Sequence, residues 1–296
     1  MSDPAQRLKD FTPTKKFFIG IDSDGCAFDS MEIKHKECFC PMTIKHFGLQ
    51  PVSKYAREAF EFVNLYSKDR GANRFPALIR VLDWLRERPE VIARKANIPH
   101  LPKTRQWIKE ETKLGNPALK AIVAKTQDPE LKQLLDWSEA VNRMIEDLVF
   151  GLPPFPFVRE SLEKAKVNAD MMVVSQTPCE ALEREWQAHG IETYVHIIAG
   201  QEMGTKKEHL QFAAKDKYPA ENILMIGDAY GDLKAAQGVD ACFFPILPGR
   251  EEDSWKRFHD EGLGRFLSGT FKGAYEDELK KELDMALPET PAWKRG

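Results

Sequence analysis

Residues Phe17–Gly25 read FFIGIDSDG, an apolar run of strand length followed at once by two carboxylates and a glycine. An unbroken apolar run of this length is typical of a strand buried on both faces, as in a parallel sheet. Acidic side chains directly after such a strand are costly to bury unless a metal ion or a cationic group neutralises them. The segment therefore predicts a central buried strand with a charged site at its carboxyl end.

Further apolar runs of strand length occur in the second half of the chain, together with segments of helical character. The runs are Met171–Val174, Val195–Ala199, Ile223–Ile226 and Ala241–Phe244. The helical segments are Val158–Val167, Pro178–His189, Lys206–Lys217 and Asp232–Gln237. Alternation of strand and helix is the signature of a doubly wound α/β fold with a parallel sheet.

The middle of the chain, residues 31–150, contains no comparable strand run. Several of its segments instead carry the apolar periodicity of helices. These are Tyr55–Val63, Pro76–Arg88, Lys103–Lys113, Pro117–Thr126 and Pro129–Leu148. The proline-rich stretch Gly151–Phe157 ends the region, because proline cannot continue a helix. We expect an all-helical domain at 31–150, inserted into an α/β domain made of residues 1–30 and 151–296.

Polar clusters follow these runs, at the edge of an open parallel sheet where ligands bind. In chain order they are Asp22 with Asp24, Ser175 with Gln176 and Thr177, Lys206 or Lys207, and Asp228 with Asp232. Together they supply what phosphoryl transfer needs: an anionic nucleophile, a second acid or base, ligands for a divalent cation, and positive charge for the migrating oxygens. Ligand sets made only of oxygen favour Mg²⁺.

The clusters can be assigned roles in that chemistry. Asp22 is the candidate nucleophile, which would form an aspartyl-phosphate, and Asp24 is the candidate acid and base. The carboxylates of Asp22 and Asp228, with the carbonyl of Asp24, can bind Mg²⁺. Ser175 can donate a hydrogen bond to a phosphoryl oxygen, and a lysine can neutralise Asp22 and the phosphoryl charge together.

The order DxDG, a serine after a strand, a lysine and GDxxxD resembles the four motifs of the haloacid dehalogenase superfamily. The resemblance implies a Rossmann-like core with a mobile helical cap inserted after the first motif, Mg²⁺ as cofactor and aspartyl-phosphate chemistry. It also implies that Ser175 holds the phosphoryl group, that Lys206 is the motif lysine and that Asp228 is a direct metal ligand. Asp232 would support the metal through water or orient Lys206. Lys207 is the alternative motif lysine, since the sequence reads KK where the family often has KP.

The polar segment 64–75, between two helical stretches of the insertion, is the candidate element for substrate specificity. Arg70, Asn73 and Arg74 could bind anionic or hydroxyl groups of a substrate. Gln176, next to Ser175, is a further candidate contact. The alternative is a solvated loop that only joins two helices.

The leading hypothesis is a Mg²⁺-dependent phosphohydrolase that acts on a small phosphorylated metabolite. Asp24 favours this hypothesis over carbon–halogen cleavage, because a halide leaving group needs no proton. A phosphomutase needs the same residues and is the alternative enzyme. A non-catalytic binding module on the same fold is the alternative from another class, although all the motif residues are present.

Composition limits which classes of partner and which cellular compartment are expected for this protein. A formal net charge of -3 gives no basis for nucleic-acid binding, and no apolar stretch reaches the roughly 18 residues of a membrane span. The polar N-terminus lacks the apolar core of a signal peptide. Five cysteines without paired metal-ligand spacing are typical of reduced thiols in the cytoplasm. We expect a cytoplasmic monomer or homodimer.

Overall fold

The computed structural model describes residues 3–294. Contacts divide this part of the chain into two compact units. The first, called here the α/β unit, ends its N-terminal segment at Met31 and continues from Gly151 to Leu287. The second, called here the helical unit, comprises Glu32–Phe150 and the described residues from Pro288 onward.

The α/β unit is built on a five-stranded parallel sheet, which confirms the predicted α/β class. Its strands are β1 Phe17–Ile21, β2 Ala169–Val174, β3 Ile197–Ala199, β4 Ile223–Gly227 and β5 Cys242–Pro245, in the spatial order β3-β2-β1-β4-β5. Every residue of these strands is buried, as their continuous apolar runs predict.

The direction in which strands are added reverses beside β1. The chain places β2 and then β3 on one side of β1, and β4 and then β5 on the other. Ile21, at the end of β1, is level with Val173 of β2 and Ile226 of β4. The residues that follow these three strands therefore emerge at one edge, at the switch point where doubly wound folds bind ligands.

Helices alternate with the strands of the α/β unit and form most of the helical unit. In chain order they are α1 Gln6–Asp10, α2 Ser30–Ile33, α3 Cys40–His46, α4 Ser53–Leu65, α5 Arg74–Arg86, α6 Pro89–Ala93, α7 Pro102–Glu110, α8 Asn116–Thr126, α9 Pro129–Leu148, α10 Val158–Ala165, α11 Cys179–Ala188, α12 Lys206–Ala213, α13 Tyr230–Gln237, α14 Glu251–Arg257, α15 Leu263–Ser268 and α16 Ala274–Ala286. Lys34–Phe39 and Phe258–Gly262 are π-helical turns. Within residues 3–294, no helix combines the length and the hydrophobicity that crossing a membrane requires.

The observed limits follow local capping and side-chain contacts. Helix α9 has the predicted limits, and the side chain of Asp128 caps its start by accepting a hydrogen bond from the backbone of Glu130 at 2.9 Å. The predicted strand 195–199 begins only at Ile197. His196, just before it, has Nε2 2.9 Å from Oδ1 of Asp170.

Two apolar layers cover the sheet of the α/β unit. Ile19 and Ile21 of β1 belong to one layer and Phe18 to the other, because successive strand side chains point to opposite faces. Helices α14 and α15 contribute to the first layer, in which Trp255 and Phe266 are fully buried. The C-terminal helices are thus part of the packing that holds the sheet.

The helical unit has a core of its own, and the C-terminal segment of the chain joins it. The ring of Trp293 packs against Phe62 at 5.7 Å and lies 4.5 Å from the guanidinium of Arg88. The sequence placed all of residues 151–296 with the α/β domain. The structure differs for the described residues from Pro288 onward, because these aromatic and cation–π contacts bind the segment to the helical unit.

Candidate active site

The switch point of the sheet carries three buried carboxylates. Asp22 follows β1, and its backbone N–H donates to the carbonyl of Ile226 in β4 at 2.9 Å. Asp228 follows β4 directly, and Asp232 lies in the first turn of α13. One carboxylate oxygen from each of these three aspartates lies within 4.8 Å of the others. The predicted nucleophile Asp22 and the predicted ligand Asp228 are thus brought together with Asp232, the predicted supporting residue.

Lys206 is the cation within this cluster. It lies in the first turn of α12, whose start is fixed by a reciprocal capping box between Thr205 and Glu208. Its Nζ donates to Oδ2 of Asp22 and to Oδ1 of Asp232, at 2.6 Å each. The ammonium therefore bridges the candidate nucleophile and the carboxylate of α13.

Lys207 takes a different direction from its neighbour. A Cβ added to Gly238, at the end of α13, would meet Cε of Lys207 at 2.8 Å, so the alkyl chain of this lysine lies along that glycine. Only Lys206 of the two makes an ion pair with Asp22. The geometry favours Lys206 as the motif lysine.

Asp232 is fixed by contacts on several sides. Its Oδ2 accepts a hydrogen bond from the backbone of Ala229 at 3.1 Å, and Lys206 occupies Oδ1. A Cβ on Gly227 would lie 2.3 Å from Cγ of Asp232, so a glycine is required for this close approach. Asp232 accordingly holds Lys206 in its place beside Asp22.

The electrostatics of the cluster are those of an incompletely neutralised site. Burial raises the pKa of Asp22 well above its usual value, and Asp232 and Asp228 add to the rise while Lys206 opposes it. Burial also lowers the pKa of Lys206, but the carboxylates of Asp22, Asp232 and Asp228 outweigh it and raise that pKa above its usual value. Three carboxylates share one ammonium, so an all-oxygen donor set with excess negative charge is present, and it fits a hard divalent cation.

Asp24 and Ser175 lie beside the cluster on the loops after β1 and β2. Gly25, with a φ of 73°, turns the chain after Asp24. Oδ2 of Asp24 accepts a hydrogen bond from the hydroxyl of Thr177 at 2.6 Å, and Oδ1 accepts one from the hydroxyl of Ser30. Ser175 is buried, and its Oγ accepts from the backbone N–H of Thr177 at 3.2 Å. Asp24, the candidate acid, and Ser175, the candidate phosphoryl-binding residue, therefore both accept a hydrogen bond from Thr177.

Gln176, which the sequence proposes as a substrate contact, lies between loops. Its Nε2 donates to the carbonyl of Gly204 at 2.9 Å and to that of Ser175 at 3.1 Å. The bond to Gly204 joins the loop after β2 to the loop before α12. Both bonds give Gln176 a structural contact whether or not it meets a substrate.

Two proposed substrate residues of the helical unit make local contacts. Arg70 is only 4% exposed, and its Nη1 donates to the carbonyl of Leu65 at 2.9 Å. Asn73 caps α5, since its Oδ1 accepts from the backbone of Phe75, and its Nδ2 donates to the carbonyl of Leu114, at 3.1 Å each. Segment 64–75 is thus more firmly held than a solvated loop would be.

Arg74, the third of these residues, is largely buried within the helical unit. Its Nη1 donates to Oγ of Ser138 at 3.0 Å and to Oδ1 of Asn142 at 2.7 Å, and its guanidinium lies 4.9 Å from the ring centre of Phe39. Burial lowers the pKa of Arg74 to about 10, so the side chain stays charged at neutral pH. These contacts account for its position without a substrate.

Sequence reasoning assigned no role to several residues that hold the site together, although it named Thr177 in the polar cluster after β2. Thr177 and Ser30 donate to Asp24, and their hydroxyls look like any others in the sequence. Ser23, between the two catalytic candidates, is fully buried, and its Oγ accepts from Nε1 of Trp186 in α11 at 3.0 Å. A polar residue within an otherwise buried turn was the available signal for Ser23.

A family profile described as haloacid dehalogenase-like hydrolase matches residues 96–244, about half of the chain. The matched stretch contains Ser175, Lys206 and Asp228, while Asp22 and Asp24 precede it. A search of the curated proteins finds no match.

Solved structures also resemble the chain. A putative haloacid dehalogenase-like hydrolase from Bacteroides fragilis is 15% identical, with 81% of this chain and 93% of that chain covered at a TM-score of 0.50. A putative phosphoglycolate phosphatase from Lactobacillus delbrueckii subsp. bulgaricus is 14% identical, with 83% and 92% covered at a TM-score of 0.48. At these identities the likeness concerns the fold alone, and only the first overlap is close enough to support it.

Proposed function

Because the chain belongs to the haloacid dehalogenase-like hydrolases, we propose that it is a Mg²⁺-dependent phosphohydrolase that cleaves a phosphomonoester of a small metabolite. The family match confirms the resemblance predicted from the motifs and the expectation of an enzyme. The observation that carries the proposal is the contact of Lys206 with Asp22 and Asp232, at 2.6 Å each, beside Asp228. It combines a nucleophile, a cation and metal ligands in one buried cluster.

The residues present fit Mg²⁺. The carboxylates of Asp22 and Asp228, with the backbone carbonyl of Asp24, would hold it, and all of these donors are oxygen. When bound, the ion supplies positive charge that screens the nucleophile from the phosphoryl oxygens. Asp232 is engaged with Lys206 and Ala229, which suits support of the site better than direct ligation.

We infer that Asp22 is the nucleophile of the first step, transfer of the phosphoryl group to the enzyme. A carboxylate oxygen of Asp22 forms a bond to phosphorus while the bond from phosphorus to the ester oxygen breaks, which leaves an aspartyl-phosphate. Lys206 neutralises the carboxylate and the charge on the transferred oxygens. The hydroxyl of Ser175 donates to one phosphoryl oxygen.

Asp24 handles the protons of both steps. In its acid form it gives a proton to the departing ester oxygen, so that a neutral alcohol leaves. As a carboxylate it then takes a proton from the water that attacks phosphorus, inorganic phosphate is released, and Asp22 is regenerated. A phosphatase of alkyl esters needs this second carboxylate because alkoxides are poor leaving groups.

Substrate selection is proposed to involve the helical unit, because it is inserted in the chain directly after the first motif, where this family places its cap. Arg70, Asn73, Arg74 and Gln176 stay predictions as substrate contacts, and their local hydrogen bonds supply an alternative role. A small phosphorylated metabolite as partner, with no nucleic acid or membrane, is also proposed. A cytoplasmic monomer or homodimer remains the expectation.

A screen of phosphomonoesters with the full chain tests the proposal. Wild type should release phosphate with Mg²⁺ and not with a chelator, and Asp22→Asn should lose at least about 10³-fold in kcat because the nucleophile is gone. Asp147→Asn, at an exposed position of the helical unit, is the matched control. Unchanged turnover in Asp22→Asn would contradict the mechanism.

Two other outcomes identify the alternatives. Transfer of the phosphoryl group to a second organic acceptor, with little release to water, would indicate a phosphomutase. Binding of phosphorylated ligands by the wild type without turnover of any ester would indicate a binding module on this fold.

A further inference from the structure

Thr177 touches both of the polar side chains that flank the aspartate cluster. It lies two residues beyond Ser175 on the loop after β2. Its Oγ1 donates to Oδ2 of Asp24 at 2.6 Å, and its backbone N–H donates to Oγ of Ser175 at 3.2 Å. One residue therefore connects the loop of the candidate acid with the loop of the candidate phosphoryl-binding hydroxyl.

The backbone of Thr177 is itself held in place. Its carbonyl accepts a hydrogen bond from the backbone of Gln201 at 3.1 Å, on the loop that follows β3. A Cβ on Gly200 would lie 2.5 Å from that carbonyl oxygen, so the two loops approach as closely as a glycine allows. The backbone position from which the Thr177 hydroxyl reaches Asp24 is therefore fixed.

We propose that Thr177 is a positioning residue that fixes the Asp24 carboxyl group at a set distance from Ser175. The inference rests on the proposed function, in which Asp24 delivers a proton to the ester oxygen while Ser175 holds the phosphoryl group. An acid must lie within hydrogen-bond reach of the atom it protonates, and a displacement of about 1 Å can cost about 10²-fold in rate.

Both oxygens of Asp24 are held in this way. Ser30 donates to Oδ1 and Thr177 to Oδ2, so the carboxyl group cannot rotate without losing a hydrogen bond. Hydroxyls can donate or accept. The same contact therefore persists whether Asp24 carries its proton or not, which suits a group that gives and then takes a proton.

The proposal makes a prediction that a merely structural threonine would not. Proton delivery to the ester oxygen matters most when the departing group is a poor leaving group, such as an alkoxide. It matters little for nitrophenolate, which leaves without help. Displacing Asp24 should therefore lower kcat/KM, which reports formation of the aspartyl-phosphate, far more for alkyl phosphates than for nitrophenyl phosphate. General damage to the loop would lower both values alike. The later attack of water is common to the two esters and does not enter kcat/KM.

The test compares Thr177→Val, which keeps the shape and removes the hydroxyl, with Thr177→Ser, which restores it. Thr126→Val, at an exposed position at the end of α8, is the control. Each full-length protein is assayed with Mg²⁺ on p-nitrophenyl phosphate and on an alkyl phosphate that the wild type hydrolyses. Thermal unfolding without metal checks that each variant folds.

For Thr177→Val we expect kcat/KM on the alkyl ester to fall about 10- to 100-fold, as expected for a misplaced acid in the first step. The loss of kcat/KM on p-nitrophenyl phosphate should stay within about threefold, and Thr177→Ser should return both values to within about threefold of wild type. Crystal structures should show the Asp24 carboxyl group rotated in Thr177→Val and in its original place in Thr177→Ser.

Equal losses of kcat/KM on the two esters, no loss, or failure of serine to restore kcat/KM would overturn the inference while leaving the proposed function intact. A wild type that hydrolyses neither ester, nor any other phosphomonoester, would overturn the proposed function and the inference with it. An unmoved Asp24 in the Thr177→Val structure would also contradict the positioning role.

Discussion

The α/β unit and the helical unit both bury charged side chains, but they surround them with different kinds of neighbour. At the carboxyl edge of the sheet, Asp22, Asp228 and Asp232 crowd around the ammonium of Lys206. Burial and the neighbouring carboxylates raise the pKa of Asp22 well above its usual value. This arrangement opposes the charged forms of Asp22 and Asp232, which is costly for a folded protein.

In the helical unit, buried arginines have compatible neighbours. Arg74 donates to neutral oxygens of Ser138 and Asn142. Arg88 forms an ion pair with Glu58, and its guanidinium lies 4.6 Å from the ring centre of Tyr55. The difference teaches that burial of charge alone does not mark a functional site. Like charges forced together at a ligand-binding edge are the stronger sign.

The largest effect is expected for a substitution of Lys206, the lysine of the cluster, and it tests the contrast between the two units. Lys206→Met should lower kcat by about 10²- to 10³-fold or more, because it removes the positive charge beside Asp22 and the migrating oxygens. Lys207→Met, one residue along the same helix, should stay within about threefold, since surface lysines contribute little. Steady-state assays of both variants check this. A large loss in Lys207→Met with near-normal Lys206→Met would show that the cluster is not the reacting site.

The sheet and its charged edge could be predicted from the sequence because their signals lie close together in the chain. Each catalytic candidate directly follows an apolar run or opens the helix after one, so strand and site are read from the same few residues. The partner of Asp24 could not be read in this way. Thr177 is 153 positions away, and only the folded sheet brings the two loops together.

The helical unit shows where such reasoning ends. Arg74 lies in a polar segment that contains Gly71, which suggested a loop reaching toward a ligand. Its partners Ser138 and Asn142 are 64 and 68 positions away on α9, and no local pattern links them. The position of Trp293 in the helical unit is likewise set by contacts with distant residues.

A medium effect is expected at the amino ends of the strands of the same sheet. The carboxylate of Asp170, near the start of β2, is buried there but accepts several hydrogen bonds. Burial by itself raises the pKa of Asp170, but hydrogen bonds from Thr14, Tyr218 and the backbone of Lys15 outweigh it and hold that pKa below its usual value. His196 also contacts this carboxylate. Asp170→Asn should lower the free energy of unfolding by about 2 kcal/mol near pH 7, the scale of hydrogen bonds to a charged group.

The pH dependence sharpens the contrast with Asp22. A lowered folded-state pKa stabilises the fold at any pH above about 4, the unfolded value, and the benefit is lost as pH falls through the folded value. Urea unfolding of wild type and Asp170→Asn from pH 7 to pH 3 should show their difference shrinking below about pH 4. A difference that stays constant to pH 3 would mean that the carboxylate charge does not contribute.

The smallest effect is expected for Arg74→Met. It leaves the acceptors of Ser138 and Asn142 without their donor and should lower the free energy of unfolding by about 1–2 kcal/mol. We expect kcat/KM to stay within about threefold, in keeping with a structural role. Arg143→Met, at an exposed position of α9, is the control. Normal unfolding with a tenfold or larger loss in kcat/KM would instead make Arg74 a substrate residue.

The central claim is that Asp22 accepts the phosphoryl group, and trapping the intermediate tests it most directly. The enzyme is mixed with substrate and Mg²⁺, quenched in acid, reduced with borohydride and digested with trypsin. Cleavage after Lys16 and Lys34 releases the peptide FFIGIDSDGCAFDSMEIK, which carries three aspartates. We predict reduction of Asp22 to homoserine, with Asp24 and Asp29 unchanged. Turnover with no modification of this peptide, or with modification at Asp24 alone, would contradict the account.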